Sequence, residues 1–258
     1  MVEIVFLGTG GGRVNLISQA RRTGGFRING SLNIHVDPGP GALISGNQFG
    51  QDARGIDLLV VTHNHIDHVN DAGLLVEAMS NYALGKKGGL IGSKSVIIGD
   101  ENNDRGISNY HLSKLARAEV ASTGKEIRFG KGKKSALLLP TKVKHEDKTG
   151  FGFVLQMDGR KIGYTSDTEY FKGISTQYIG CDLLIANNIK SGPDNLAGHL
   201  YSATTIRLLS EATPKLAAIT HIGMKLMQSG PEKEAEKISR ASGVQTLAAY
   251  DGMSLKLP

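Results

Sequence analysis

The sequence predicts an α/β sandwich built on mixed sheets, and three observations carry that prediction. Apolar, β-branched runs recur at residues 2–7, 32–37, 57–61, 95–98, 135–139, 151–157, 161–165, 182–186, 215–220 and 253–257. Many are bounded by Gly, Asp, Asn or Pro, which punctuate strands. Hairpin-like strands come first and strand–helix alternation follows, the order expected of sheets that mix antiparallel and parallel pairs. The 34 glycines are roughly twice the usual share of about 7%. With only seven prolines and no G-X-Y period, they read as tight turns and exclude collagen.

In chain order, residues 2–7 open as a strand and Gly8–Gly12 follows as a tight turn. Residues 13–31 show no clean helix. The run 32–37 ends in the turn Val36-Asp37-Pro38-Gly39, and Leu58–Val61 reads as a buried strand. Helical patterns lie at 71–84, 109–121, 202–212 and 231–242. Ser202 stands before Ala203–Glu211 as a start signal, and Pro231 begins a first turn with Glu232 and Glu234. Residues 150–157, Asp158-Gly159 and 160–165 read as a hairpin with an Asp-Gly turn. No repeat or low-complexity linker offers a boundary, so residues 1–258 read as one domain.

Composition closes several functional classes. Apolar residues at 40% and charged residues at 21% exclude disorder as the default. No apolar run approaches the roughly 18–20 residues that span a bilayer, so no membrane partner is expected. The N-terminus lacks the basic region and cleavage site of a signal peptide. One cysteine, Cys181, allows no internal disulfide and fits a reducing compartment, so the expected location is the cytoplasm. In an apolar run, Cys181 reads as a small buried hydrophobe rather than a nucleophile. A net charge of +6 favours an acidic substrate only modestly. Lys131, Lys133 and Lys134, with Lys142, Lys144 and Lys148 beyond, offer phosphate contacts, but a solvated basic turn is the simpler reading. Aromatic residues at 5% and no tryptophan give no evident base-stacking platform. Gly8-Thr9-Gly10-Gly11-Gly12-Arg13 imitates a dinucleotide fingerprint but carries Arg13 at the third glycine position and no helix behind it. No G-x-S-x-G elbow is present.

The chemistry concentrates in Thr62-His63-Asn64-His65-Ile66-Asp67-His68, directly behind the buried run 58–61. Three histidines and an aspartate within six residues follow a rigid strand end. His63 and His65 reach one metal from a turning backbone, and Asp67 and His68 point to a second ion nearby. Imidazole nitrogen and carboxylate oxygen suit Zn²⁺, and also Fe or Mn. His145, Asp167 and His221 are further ligand types, each placed just past a predicted strand, where a sheet presents its site.

Thr62-His63-Asn64-His65-Ile66-Asp67-His68 resembles the T-H-x-H-x-D-H signature of the metallo-β-lactamase-fold superfamily. His145, Asp167 and His221 follow in that superfamily's order, and Phe6–Gly10 and Val36–Gly39 are similar to it as well. The resemblance spans essentially the whole chain. It implies a four-layer αβ/βα sandwich with two divalent metal ions, Zn first, at one edge between the sheets. His63, His65 and His145 would hold one ion, Asp67, His68 and His221 the other, and Asp167 would bridge them. Gly198-His199-Leu200-Tyr201-Ser202, followed by Thr220-His221-Ile222-Gly223, resembles the tRNA 3′-processing endonuclease (tRNase Z) and phosphodiesterase branch. That resemblance makes His199, with Asp67, a catalytic residue.

Two departures bear on substrate. The 22 positions from His145 to Asp167 are filled by the predicted hairpin, so the tRNA-gripping arm of tRNase Z has no room there. Ala186-Asn187-Asn188 stands where tRNase Z carries a glutamate that partners its catalytic histidine. The resulting expectation is a phosphodiesterase acting through a metal-shared hydroxide on a small, cyclic or nucleic-acid diester, with self-association left open. The alternatives are a lactonase or thioesterase of the glyoxalase II kind, and a non-hydrolytic di-iron redox or binding protein.

Overall fold

The computed structural model describes residues 1–101, 104–193 and 197–258. Two mixed sheets face each other with helices on both outer sides. In the first sheet, β15 (Ser254–Leu257), β1 (Val2–Phe6), β2 (Phe26–Asn29), β3 (Asn33–Val36), β4 (Leu58–Val61), β5 (Gly89–Gly92) and β6 (Arg117–Val120) lie in that spatial order. Pairing is antiparallel from β15 to β3 and parallel from β3 to β6. The second sheet runs β14 (Thr246–Ala248), β13 (Leu216–Thr220), β11 (Leu183–Lys190), β10 (Arg160–Tyr164), β9 (Phe151–Met157), β8 (Lys134–Lys142), β7 (Ile127–Lys131). The short β12 (Leu200–Tyr201) adds to β11. Here β7–β10 form an antiparallel meander, and β10, β11, β13 and β14 run parallel.

Strand alternation makes the four layers. In β4, Leu58 and Val60 join the core between the sheets. Leu59 and Val61 face the outer helices α2 (Ala42–Gln48), α4 (Ala72–Met79) and α5 (Lys94–Ile97). In β11, Leu183 and Ile185 enter the central core, whereas Leu184 packs under α7 (Ser202–Ala212) and α9 (Pro231–Ser242). Period-two side chains on a strand buried on both faces give such uninterrupted apolar runs. The remaining helices are short: α1 (Arg13–Ser18), α3 (Ile66–Val69), α6 (Asn109–Ser113) and α8 (Met224–Ser229).

Most expected strands form, and the Asp-Gly hairpin of β9–β10 turns through Asp158 and Gly159, both at positive φ. Four expectations are corrected. Residues 95–97 belong to α5, with Ile98 as its C-cap, rather than to a strand, because Ser93 accepts the Val96 N–H and caps a helix there. The strand comes earlier, as β5. The stretch 109–121 is not one helix: α6 ends at Ser113, and Arg117–Val120 completes the sheet edge as β6. Residues 13–31 do contain a helix, α1. Ser202 is the first helical residue rather than the cap; the Tyr201 N–H donates to Thr204 Oγ1. Pro231 starts α9 with Glu232 and Glu234 in its first turn.

One buried group contributes clearly to how stability responds to acid. His35 on β3 is 1% exposed, and its Nε2 lies 3.0 Å from the Gly24 carbonyl. Burial, then the nearby Arg27 charge, push its pKa well below the usual value. The folded protein therefore holds His35 neutral, while the unfolded chain takes up a proton below about pH 6.5. Stability from this group is complete above that pH and is lost as pH falls, by up to about 1.4 kcal/mol per pH unit. Urea unfolding from pH 7.5 to 5 is expected to give a shallower pH slope for His35→Gln than for the wild type. Equal slopes would remove His35 from this role.

Candidate metal centre

Strand ends bring the predicted residues together. Thr62–His68 leaves the C-terminal end of β4 and turns into α3, which presents Asp67 and His68. His145 follows β8, Asp167 follows β10, and His221 follows β13 directly at φ +56. His199 immediately precedes β12.

Asp167 is the hub. Its Oδ2 lies 3.3 Å from His221 Nε2, 3.4 Å from His68 Nε2 and 3.7 Å from His199 Nδ1. His63 Nε2 is 3.8 Å from it and His145 Nε2 3.9 Å. His65 Nδ1 faces His145 Nε2 at 3.1 Å, and His68 Nε2 faces His221 Nε2 at 3.3 Å. Asp67 Oδ2 is 3.4 Å from His221 Nε2. Three groups emerge whose donor atoms all lie within 4.8 Å of one another: His63, His65, His145 and Asp167; Asp67, His68 and His221; and Asp167, His199 and His221. All eight predicted site residues are thus gathered, and His199 sits as close to the hub as the others.

These residues fit metal ions on the atoms themselves. His63 Nε2 is buried without a hydrogen-bond partner among the described residues. Ring nitrogens that face one another repel through their lone pairs unless a proton or cation lies between. Donors about 2.1 Å from one tetrahedral ion are about 3.4 Å apart, matching the separations here. Two of the opposite ring nitrogens are fixed by outer hydrogen-bond partners, as metal-binding histidines require: His68 Nδ1 donates to Asp37 Oδ2 at 2.9 Å, and His145 Nδ1 to the Gly198 carbonyl at 2.9 Å; His221 Nδ1 has no partner among the described residues.

Against burial, the Asp167, Asp67 and Asp37 charges raise the His68 pKa well above its usual value, while for Asp167, Asp67, His63 and His199 the field favours the ligand forms. Burial works against the Asp167 charge, yet the His221, His68 and His199 imidazoles outweigh it and hold the carboxyl well below the usual range. Asp67 is likewise held low against burial, chiefly by His68 and His221. Burial, then the His68 charge, keep His63 neutral. Burial also pushes His199 down to about 4, against the pull of Asp167. Neutral imidazole and ionised carboxylate are the forms that bind metals.

Several supporting residues carried no sequence signal for their role. Buried Asp37 accepts from the Thr62 N–H (2.7 Å), Thr62 Oγ1 (2.8 Å) and Tyr164 Oη (2.9 Å) as well as from His68. Thr62 Oγ1 also meets Ser166 Oγ at 2.7 Å, tying the β4 loop to the β10 loop. Asn187 Nδ2 donates to Asp167 Oδ1 at 2.7 Å. Asn187 therefore steadies the hub carboxylate. The Asp37 turn was visible as a turn; nothing in the sequence linked it to His68.

The glycine turn has a task as well. Gly10 bridges to Ile222, and the Gly11 N–H donates to the Ile222 carbonyl at 3.2 Å. A β-carbon on Gly11 would stand 2.2 Å from His221 Nδ1. The missing side chain is what lets this loop close on the histidine.

A cavity of about 890 Å³ opens over the cluster, lined by His65, Asp67, His145, Asp167, His199 and His221 among others. Its cations are Arg13, Lys190 and Lys225. Lys131, Lys133 and Lys134 are exposed and do not line it. They lie at the end of β7, in the turn after it and at the start of β8, and β8 extends about 27 Å before the end that leads to His145. Lys144 is paired with Glu169 at 2.7 Å. Cys181 is buried, and burial pushes its thiol up to about 11, the state of an inert cysteine. Among the described residues, no helix is long and apolar enough to cross a membrane.

Comparison with known proteins agrees with this geometry. The family model described as the beta-lactamase superfamily domain matches residues 32–222. An uncharacterized protein of Methanocaldococcus jannaschii is 36% identical over 259 aligned residues, covering 99% of this chain and 95% of its own. A ribonuclease Z of Saccharolobus islandicus is 26% identical, covering 86% of this chain and 89% of its own. The crystal structure of the metallo-beta-lactamase fold protein YhfI from Bacillus subtilis superposes with a TM-score of 0.78 at 18% identity, covering 98% of each chain.

Proposed function

The chain belongs to the metallo-β-lactamase superfamily of metal-dependent hydrolases, and from that premise we propose that it is a dinuclear phosphodiesterase acting on small or cyclic diesters. The observation that carries this reading is the convergence of five imidazole nitrogens on Asp167 Oδ2 at the floor of an open cavity.

In this reading His63, His65 and His145 hold one ion, Asp67, His68 and His221 hold a second, and Asp167 serves both. Zn²⁺ is the favoured metal, and Mn or Fe suit the same donors. When bound, the ions supply Lewis acidity toward the phosphoryl oxygens and an attacking water acidified from about 15.7 to near 7. The protein's own residues do the rest. Asp37 and the Gly198 carbonyl fix the tautomers of His68 and His145. Asn187 keeps Asp167 turned toward the histidines. His199, neutral in the cavity wall with Nδ1 against Asp167, would take the proton that the attacking water gives up and pass it to the leaving oxygen. Short substrates are preferred because the β9–β10 hairpin fills the interval from His145 to Asp167. A cytoplasmic location, from the single cysteine, and one domain over residues 1–258, from the core shared by both sheets, belong to the same proposal.

Gly11→Ala is expected to fold yet drive the His221 ring from its place. Bound metal would fall from two ions toward one per chain, and turnover at least about 100-fold. Wild-type metal content in this variant would contradict the second ligand set.

The reaction is tested by leaving group. A protonating residue is worth roughly 10²–10⁴-fold where it is needed. His199→Ala is therefore expected to slow a 2′,3′-cyclic nucleotide by that factor. Bis(p-nitrophenyl) phosphate should be slowed far less, because nitrophenolate leaves without a proton. Equal slowing of both would remove His199 as the acid. A metal-loaded protein that cleaved lactones or glutathione thioesters orders of magnitude faster than any diester would replace the phosphodiesterase reading.

A further inference from the structure

The first ligand set is drawn from both sheets. His63 and His65 leave β4 in one, and His145 follows β8 in the other. Donor atoms that share one ion tolerate only about 0.2 Å of error in their distances to it, so the two loops need a direct tie. One tie is backbone: the Phe151 N–H at the start of β9 donates to the Thr62 carbonyl at 3.2 Å. The other runs through the side chain of Asp147, two residues after His145. Its Oδ2 accepts the N–H of Asn64, the residue between His63 and His65, at 3.0 Å, and Ser95 Oγ of α5 donates to the same oxygen. Its Oδ1 accepts the Thr149 N–H and Thr149 Oγ1, both at 2.8 Å. Thr149 Oγ1 in turn accepts the Ser95 N–H at 3.1 Å, which closes the network on α5. Four donors from three segments thus meet on one carboxylate. An ionised carboxylate only accepts, at about four lone-pair sites, so it can serve all of them. A carboxamide would turn its NH₂ group toward two of the donors. His145 and Glu146 line the cavity and Asp147 does not, so its side chain acts behind the ligands and not on the substrate.

We propose that Asp147 is a positioning residue: it clamps the His63–His65 turn against the His145 loop and so sets the affinity for the ion of the first ligand set. This rests on the metal centre of the reading above and not on which bond is cleaved.

Zn²⁺ affinity, read by competition with a chromophoric chelator, tests the clamp without turnover. In Asp147→Asn one of the two ions is expected to bind about 10–100-fold more weakly, the cost of losing an outer partner of a metal ligand, while the other changes far less. Two backgrounds assign the ion. In His221→Ala, which spares the first ligand set, Asp147→Asn should weaken the remaining ion by the same factor. In His63→Ala/His65→Ala it should leave the remaining ion unchanged. A general structural defect would weaken the remaining ion in both backgrounds. Excess Zn²⁺ should restore most of kcat in Asp147→Asn on bis(p-nitrophenyl) phosphate, with KM unchanged. Ser95→Ala removes one of the four donors and should weaken the same ion by roughly 2–10-fold; it decides the matter where Asp147→Asn does not fold. Wild-type affinity for both ions in the folded variant, or equal weakening of both, would overturn the clamp and leave the metal centre standing. A wild type that binds no Zn²⁺ would remove the metal centre and the clamp with it.

Discussion

Replacing Asp67 with alanine is expected to lower turnover by about a thousandfold or more while the protein stays folded. Asp67 is a largely buried carboxylate held ionised by His68 and His221, with Oδ2 3.4 Å from His221 Nε2. As the carboxylate of the second ligand set, its loss weakens one ion at the reacting centre, and a thousandfold corresponds to about 4 kcal/mol of transition-state stabilisation. Asp71 is the internal control. It lies four residues on and is also buried, but its carboxylate accepts from the Leu43 N–H at 3.3 Å and Asn70 Nδ2 at 3.0 Å, away from the cluster. Asp71→Ala should change turnover less than about tenfold. Steady-state kinetics on bis(p-nitrophenyl) phosphate, with circular dichroism to confirm folding, checks both. A tolerated Asp67→Ala beside a damaging Asp71→Ala would mean that the site is assigned to the wrong residues.

The second large effect is on stability. The ligand atoms converge at 3.1–3.9 Å only through the closing of the fold, so the ions of the proposed centre would bind the native state in preference to the unfolded chain. A ligand at about 100 times its Kd stabilises by about 2.7 kcal/mol, which for a chain of this size raises Tm by roughly 5–10 °C. Chelation is therefore expected to abolish activity and lower Tm by at least that much, and added Zn²⁺ or Mn²⁺ to restore both. The double variant His63→Ala/His65→Ala should respond to chelator much less than the wild type. An equal response would place the stabilising ions elsewhere.

The centre was legible because its densest part is local. Four ligand types in six residues behind an unbroken apolar strand admit few readings, and His145, Asp167 and His221 come shortly after strands that formed as expected, whereas His199 precedes the short β12. The supporting contacts were not legible, because they are long-range. Asp37 and His68 are 31 residues apart and Asn187 and Asp167 are 20 apart; only the closing of the two sheets makes them neighbours. The cavity's cations were missed for the same reason. Lys190 and Lys225 are isolated in sequence, whereas the conspicuous run at 131–134 lies at the far end of β8.

The errors in secondary structure have local causes. Val96, Ile97 and Ile98 carry β-branched side chains, but Ser93 caps them into a helix, and the neighbouring strand slot is taken by Gly89–Gly92. Two glycines in four residues hid that strand. The glycines are there because space is short: a β-carbon on Gly89 would stand 2.3 Å from the Phe129 ring. Helix α1 buries only Asn15 and leaves Val14 and Ile17 exposed, so it shows no apolar periodicity toward a core.

The central claim is that His63, His65, Asp67, His68, His145, Asp167 and His221 hold two ions. Elemental analysis of the purified protein, reconstituted with Zn²⁺ or Mn²⁺ and freed of excess metal, measures this directly. The expected value is about two ions per chain in the wild type and clearly fewer in His63→Ala/His65→Ala. A wild-type value near zero, or a double variant that retains two ions, would contradict it.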